Sequence, residues 1–240
     1  MHEPIVIDNL SKYYNRFLAL DNLCLRIGET ENVGLLGPNG AGKSTTLKIL
    51  CGLLHPSSGA AYIDGINVVE KPEQALSRIG AIVETPEFYP FFTPEEILSY
   101  LGRLRGMRGD ELRHRIKEVI HLVRLEEWAA VRVGKFSRGM KQRLALAQAL
   151  LHNPSVLILD EPALGLDPRR MVEFREIIEG LGKEKTVFFA SHQLVEVAQI
   201  CKKVAIIDRG RLLAYDDIAQ LERKYNSLEQ AYLKLTESPL

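Results

Sequence analysis

The 240-residue chain is poor in the features that mark a secreted or membrane-embedded protein. It has three cysteines, Cys24, Cys51 and Cys201. An odd number set in apolar surroundings argues against a disulfide framework or a cysteine metal site and predicts buried free thiols in a reducing compartment. It has no excess of charge, since 31 basic residues balance 31 acidic ones. Without a global basic field to hold a polyanion, no nucleic-acid partner is expected. No apolar run approaches the roughly 18 residues that cross a bilayer, and Met1 to Asn9 carries neither the charged nor the apolar region of a leader peptide. What remains is a chain that is 46% hydrophobic, enough for one large domain or one domain with an insertion, and expected in the cytoplasm.

Against that background one stretch stands out. GPNGAGKST, made of Gly37, Pro38, Asn39, Gly40, Ala41, Gly42, Lys43, Ser44 and Thr45, follows the apolar run Val33 to Leu36 and precedes the helix-like TLKILCGLL. A polyphosphate needs close backbone approach and inward N–H groups, which Gly37, Gly40 and Gly42 permit through small size and positive φ. A helix starting near Lys43 adds its N-terminal partial charge. Lys43 is placed for the β- and γ-phosphates of a nucleoside triphosphate and the Ser44 hydroxyl for Mg²⁺.

Two acids complete the chemistry. Val156 to Leu159 reads as a buried parallel strand, and the residues at its carboxyl end are Asp160 and Glu161. That end faces the crevice where α/β sheets take ligands, so Asp160 suits the Mg²⁺ shell and Glu161 the activation of water. TVFFAS is a second buried-strand pattern, and it delivers His192 to an equivalent end.

The ordered set GPNGAGKST, SRGMKQR, VLILDEP, GLDP and SH resembles the ATP-binding-cassette (ABC) ATPases over nearly the whole chain. The resemblance implies an α/β P-loop NTPase core with a mixed sheet, an N-terminal antiparallel β subdomain and an inserted α-helical subdomain. It also implies roles. Tyr14 stacks on adenine, with Tyr13 as the alternative register. Ser137 and Gly139 form a signature that touches the γ-phosphate of ATP held by a second protomer. Asp167 lies in a loop crossing the dimer interface, and His192 is a switch near the γ-phosphate, catalytic with Glu161 and Lys43. ATP and Mg²⁺ are the implied cofactors, the metal held by Ser44, Asp160 and Glu84. The implied partners are a second ATPase subunit, expected to be an identical copy, and a separately encoded transmembrane permease, so the chain is expected on the inner face of the cell membrane.

IVETPEFYPFFTPEE and the tail SLEQAYLKLTES are similar to the export ATPases of the bacitracin-resistance and lantibiotic-immunity type. An exporter subunit is therefore expected, the alternative being an ABC ATPase that moves no cargo and works as a regulatory or mechanical module. Three positions depart from the family pattern. Arg138 and Met140 stand where the signature usually has Gly and Gln, and Arg138 either turns to solvent or brings a second positive charge. Glu84 stands where a Gln usually contacts the metal or the attacking water and hinges the helical subdomain.

Punctuation divides the chain into a nucleotide-binding core over 1–85 and 152–215, a helical insert over 86–151 and a helical tail over 216–240. Strand-like runs fall at Ile5 to Ile7, Leu23 to Ile27, Val33 to Leu36 and Ala61 to Ile63, and later from Val156, Thr186, Val204 and Arg211. Thr93-Pro94-Glu95-Glu96 reads as a capping box with Pro at the first helical position. Ser137 reads as the cap of a helix running through Leu151, and Asp167-Pro168 as another helix start. Phe88, Tyr89, Phe91 and Phe92 crowd one connector, an unusual amount of apolar surface for a loop; at least two should pack the insert onto the core, and the others suit a permease helix. Arg103, Arg105, Arg108, Arg113 and Arg115 read as a solvated helix face, with anionic lipid head groups as a second use.

Overall fold

Apolar residues that alternate at Ile5, Ile7 and Leu10, and at Leu23, Leu25 and Ile27, give the first two strands one buried face each. In the computed structural model, which describes residues 2–237, these are β1 (Ile5–Tyr14) and β2 (Phe17–Ile27). They are longer than the apolar runs suggest. A register shift between Ile7 and Leu10 surrounds Asn9, whose φ is 47°, and this bulge lets β1 continue to Tyr14. With β4 (Ser58–Ile63) and β5 (Ile66–Asn67) they form a sheet in the order β2-β1-β4-β5, its three pairings antiparallel. Cys24 lies on the outward face of β2 and is exposed, which corrects the expectation of three buried thiols; Cys51 and Cys201 are buried. An alternating strand exposes every second residue whatever its chemistry.

The second sheet contains β3 (Asn32–Leu36), β6 (Ile79–Ile82), β7 (Val156–Asp160), β8 (Thr186–Ser191), β9 (Lys203–Asp208) and β10 (Arg211–Asp217), in the order β10-β9-β3-β8-β7-β6. All pairings are parallel except that of β10 with β9. Every residue of β7 and β8 is buried, as in a sheet covered on both faces. Alternate residues of β7 enter different cores: Leu157 and Leu159 join the helical side, Val156 and Ile158 the side shared with the first sheet. The edge strand β6 is not legible in the sequence because only two of its four residues, Ile79 and Ile82, are large and apolar.

Between β6 and β7 lie α3 (Pro94–Leu104), α4 (Gly109–Leu122) and α5 (Arg138–Leu150), after α1 (Lys43–Leu50) and α2 (Pro72–Leu76) earlier in the chain. The capping box at Thr93 forms, with Glu96 N–H donating to Thr93 Oγ1 at 3.3 Å and Thr93 N–H to Glu96 Oε2 at 2.8 Å. α6 (Pro168–Leu181), α7 (Leu194–Ile200), α8 (Ile218–Tyr225) and α9 (Leu228–Thr236) complete the chain. Positions 238–240 of the expected tail, and Met1, lie outside the described residues.

Of the four loop aromatics only Phe88 packs against the core. Tyr89, Phe91 and Phe92 are exposed and touch one another, with ring centroids 5.2 to 6.0 Å apart, so the expectation of two core-packed rings is corrected. The loop itself is fixed, because Pro90 and Phe92 carbonyls accept from Gly134 and Val133 N–H at 2.8 Å each. The arginine stretch also divides. Arg115 donates to the Leu150 and Leu151 carbonyls at the end of α5, at 2.7 and 3.1 Å, a structural task, whereas Arg103 and Arg108 stay exposed.

His152 supplies a stability prediction. Its Nε2–H donates to the Ile79 carbonyl at 2.9 Å and its Nδ1 is buried without a partner. Burial, with Arg105 adding to it, pushes its pKa from 6.5 down to about 4. A histidine held neutral binds fewer protons folded than unfolded, so its contribution is complete above about pH 6.5 and is lost as pH falls toward about 4. His152→Gln, which keeps a donor for Ile79, should flatten the fall in melting temperature across that window. A parallel fall in both proteins would assign the acid sensitivity elsewhere.

Candidate functional site

The sheet order brings β3, β8 and β7 together, so the segments leaving their carboxyl ends meet at one place. From β3 comes the loop Gly37 to Thr45, from β8 His192, and from β7 Asp160 and Glu161.

Two glycines shape the loop for different reasons. Gly42 has φ of +106°, and a Cβ there would fall 2.6 Å from Leu20 Cδ2 and 2.8 Å from the Ala19 carbonyl oxygen. Gly37 has no positive φ, contrary to the sequence argument; it is needed because a Cβ would lie 2.3 Å from the Ile207 carbonyl oxygen. The loop curls around Lys43, whose Nζ donates to the Gly37 and Pro38 carbonyls at 2.8 and 3.1 Å. Lys43 is only 7% exposed. Burial lowers its pKa, and the nearby Glu161 and Asp160 charges oppose that fall.

Asp160 is buried, and burial lifts its pKa while the Ser44 hydroxyl pulls it down and Glu161 pushes it up. Glu161 occupies the left-handed region at φ 46° and donates its N–H to the Ala190 carbonyl on β8 at 3.0 Å. That conformation costs energy for a residue with a Cβ and recurs at functional sites. Its Oε1 lies 2.8 Å from His192 Nδ1. Its other oxygen, Oε2, and Asp160 Oδ1 are both buried with no hydrogen-bond partner among the described residues. Buried carboxylate oxygens are ordinarily satisfied, so this site has unspent acceptor capacity of the hard oxygen type that suits a divalent cation. No cluster of three or more His, Cys, Asp or Glu able to hold a metal unaided occurs among the described residues; a metal here needs oxygens from substrate as well.

Two cavities flank the loop. One of about 400 Å³ is lined by Tyr14, Phe17, Asn39, Gly40, Lys43 and His192 among others. Tyr14 lines it and Tyr13 does not. Phe17, which the sequence does not mark, lines it as the hairpin partner of Tyr14 across the β1–β2 turn. The other cavity, about 600 Å³, is lined by Ser44, Glu84, Arg138, Gln142, Asp160 and Glu161 among others. Glu84 has a φ of 71° and its Oε1 meets Lys48 Nζ at 2.6 Å in an exposed pair, which lowers its pKa.

Ser137 caps α5, accepting from Met140 N–H at 3.3 Å. Gly139 is the second residue of α5 and lies against Arg170. Asp167 caps α6, its Oδ1 accepting from Arg170 N–H at 3.0 Å. Arg138 reaches the wall of the larger cavity and lies over Gly165. Met140 is buried in the helical core and presents nothing to the site. A second buried acid, Glu196, had no signal in the sequence reading; Ser191 Oγ donates to its Oε2 at 2.6 Å and accepts from Gln193 N–H at 3.0 Å, which fixes the turn carrying His192.

Comparison with known proteins gives concordant results. Residues 20–164 match the family model described as ABC transporter. The bacitracin transport ATP-binding protein BcrA of Bacillus licheniformis is 42% identical over 94% of this chain and 74% of its own length. A Nod factor export ATP-binding protein I of Burkholderia lata is 37% identical over 88% of this chain and 70% of its own. A solved ATP-binding subunit of an ABC transporter superposes with a TM-score of 0.85 at 31% identity, covering 96% of this chain and 98% of that one. An ATP-binding cassette solved as a dimer in a post-hydrolysis state with ADP and Pi gives 0.79 at 28% identity, over 89% of this chain and 98% of that one. The chain belongs to the ABC transporter family, as an ATP-binding, ATP-hydrolysing subunit.

Proposed function

We propose that the chain is the motor subunit of an exporter: two copies close around two ATP molecules on the cytoplasmic face of the membrane and drive a separately encoded transmembrane permease. The observation that carries the reading is the meeting of the Lys43 loop with Asp160, Glu161 and His192 at three adjacent strand ends. The transport and export functions named for its relatives support the direction. No helix among the described residues is long and apolar enough to cross a membrane, so the translocation path would belong to the partner.

In this reading Lys43 and the amides of the loop and of the first turn of α1 bind the β- and γ-phosphates. Ser44 and Asp160 would hold Mg²⁺, which when bound screens the phosphate charge and polarises the γ-phosphoryl group. Glu84, which lines the same cavity, would join that shell through the oxygen that does not meet Lys48. Glu161 accepts the proton of the attacking water through the oxygen not bonded to His192, and His192 holds the other oxygen in place. Ser137 and Gly139 present the start of α5 to the γ-phosphate bound by the opposite copy, and Asp167 contributes to the same interface. Tyr14 stacks on adenine. Tyr14→Ala should weaken ATP binding roughly tenfold, about the size of an aromatic stacking contribution, while Tyr13→Ala should leave it unchanged in the same equilibrium titration.

The exposed rings of Tyr89 and Phe92 form the docking site for a permease helix, an aromatic anchor on a rigid loop. Because both rings are exposed, Tyr89→Ala and Phe92→Ala should fold and bind ATP normally and lose co-purification with the membrane subunit. Retention of the membrane subunit by the double variant would move the docking surface elsewhere. If the intact chain retains no membrane protein at all, the cargo-free module becomes the better reading.

A further inference from the structure

The Ser137 hydroxyl has both of its acceptor positions filled. Met140 N–H donates to Oγ at 3.3 Å, the usual cap bond, and Arg170 Nη1 donates to it at 2.7 Å from a different helix, α6. A serine hydroxyl offers two acceptor lone pairs and one donor proton. With both lone pairs engaged, its proton has to point away from both partners, and no acceptor for it occurs among the described residues.

Arg170 is itself held in place. Its Nε pairs with Asp167 Oδ2 at 3.1 Å, and its backbone N–H bonds Asp167 Oδ1 at 3.0 Å. Its stem lies against Gly139, where a Cβ would come within 2.8 Å of Arg170 Cδ. A guanidinium has five donors in a rigid fork, so one group can serve a carboxylate and a hydroxyl at once. A second arginine packs close by: a Cβ on Gly165 would fall 2.5 Å from Arg138 Nη1. The start of α5 is thus bonded to Asp167 through Arg170, with Arg138 lying over the same segment at Gly165.

We infer that Arg170 is a positioning residue for the phosphate contact made across the dimer. By occupying the Ser137 oxygen it leaves the hydroxyl only a proton to offer, aimed at an anionic oxygen, and it adds positive charge beside the helix terminus that receives it. An oxygen restricted to donation selects for a γ-phosphate, which ATP has and ADP lacks. The same guanidinium links Ser137 to Asp167, so the group that reads the opposite nucleotide moves with the loop that follows this chain's own Glu161. The inference rests on the reading of Ser137 as a contact to the opposite copy, and the test separates the two.

The experiment follows dimerisation by light scattering against ATP concentration in a Glu161→Gln background. Arg170→Met keeps the stem over Gly139 and removes the donors; it should raise the ATP required for half-maximal dimer about tenfold, with unchanged thermal midpoint and unchanged binding of a fluorescent ATP analogue to the monomer. Arg170→Lys, which restores one donor, should recover most of that loss. Ser137→Ala should cost a similar factor, and Ser137→Ala with Arg170→Met should cost no more than either alone. Additive losses, or a loss for Ser137→Ala without one for Arg170→Met, overturn the positioning role and leave the opposite-copy contact standing. No loss for Ser137→Ala overturns both.

Discussion

Glu161→Gln should lower the ATP turnover rate by about 10²- to 10⁴-fold, the range ascribed to a lost general base, and should leave ATP affinity nearly unchanged. The amide has the shape of the carboxylate and can keep a hydrogen bond to His192, which lies 2.8 Å from Oε1. What it cannot do is take a proton on the second oxygen, the one buried without a partner. Binding groups and chemistry therefore separate: the Lys43 loop is untouched, so ATP still binds, and the dimer that forms around it persists because hydrolysis no longer opens it. Single-turnover kinetics give the chemical step, and gel filtration with ATP gives the dimer. Turnover within a few-fold of the parent would remove Glu161 from the chemistry and leave it as a strained strand-end residue.

The second large effect is expected at Lys43. Lys43→Ala deletes the buried ammonium and leaves the Gly37 and Pro38 carbonyls, now its acceptors at 2.8 and 3.1 Å, without a donor. Bonds to a charged group are worth about 1.5–3 kcal/mol each, so losing two on the phosphates should weaken ATP binding on the order of 10²-fold or more. The loop's own shape should suffer too, because the ammonium organises it before substrate arrives; the unliganded variant should melt at a lower temperature. Lys43→Arg should not rescue, since a planar fork does not fit a pocket shaped around a compact charge. ATP affinity unchanged in the alanine variant, read by calorimetry, would mean that the loop amides alone hold the phosphates.

The parts of this structure that were legible in the sequence are those where one local rule governs. β7 and β8 are short apolar runs buried throughout, and the caps at Thr93, Ser137 and Asp167 form as their residue types require. The phosphate loop was readable because its demand falls on the backbone, although the demand at Gly37 is contact with Ile207, a residue far along the chain that no local pattern could supply. The same limit hid β6, which borrows its stability from β7 and α5. Phe17 and Glu196 sit near their partners Tyr14 and Ser191 in the chain, yet which side chains a hairpin or a helix start brings together is settled by packing. Arg138 remained ambiguous for this reason too: its place over Gly165 is a contact between segments, decided by tertiary packing.

The position of β3 in its sheet has a consequence in time. Its hydrogen-bonded neighbours are β8 and β9, so the strand that ends in the phosphate loop is synthesised early yet has no partner until the chain has grown past Thr186. The first sheet, whose pairings stay within Ile5 to Asn67, can close long before. At about 5–20 residues per second, the nascent chain passes on the order of ten seconds with the loop made and its sheet unbuilt. A ribosome-bound chain stopped before β8 should therefore fail to retain ATP, and nucleotide binding becomes a marker for the last stage of folding.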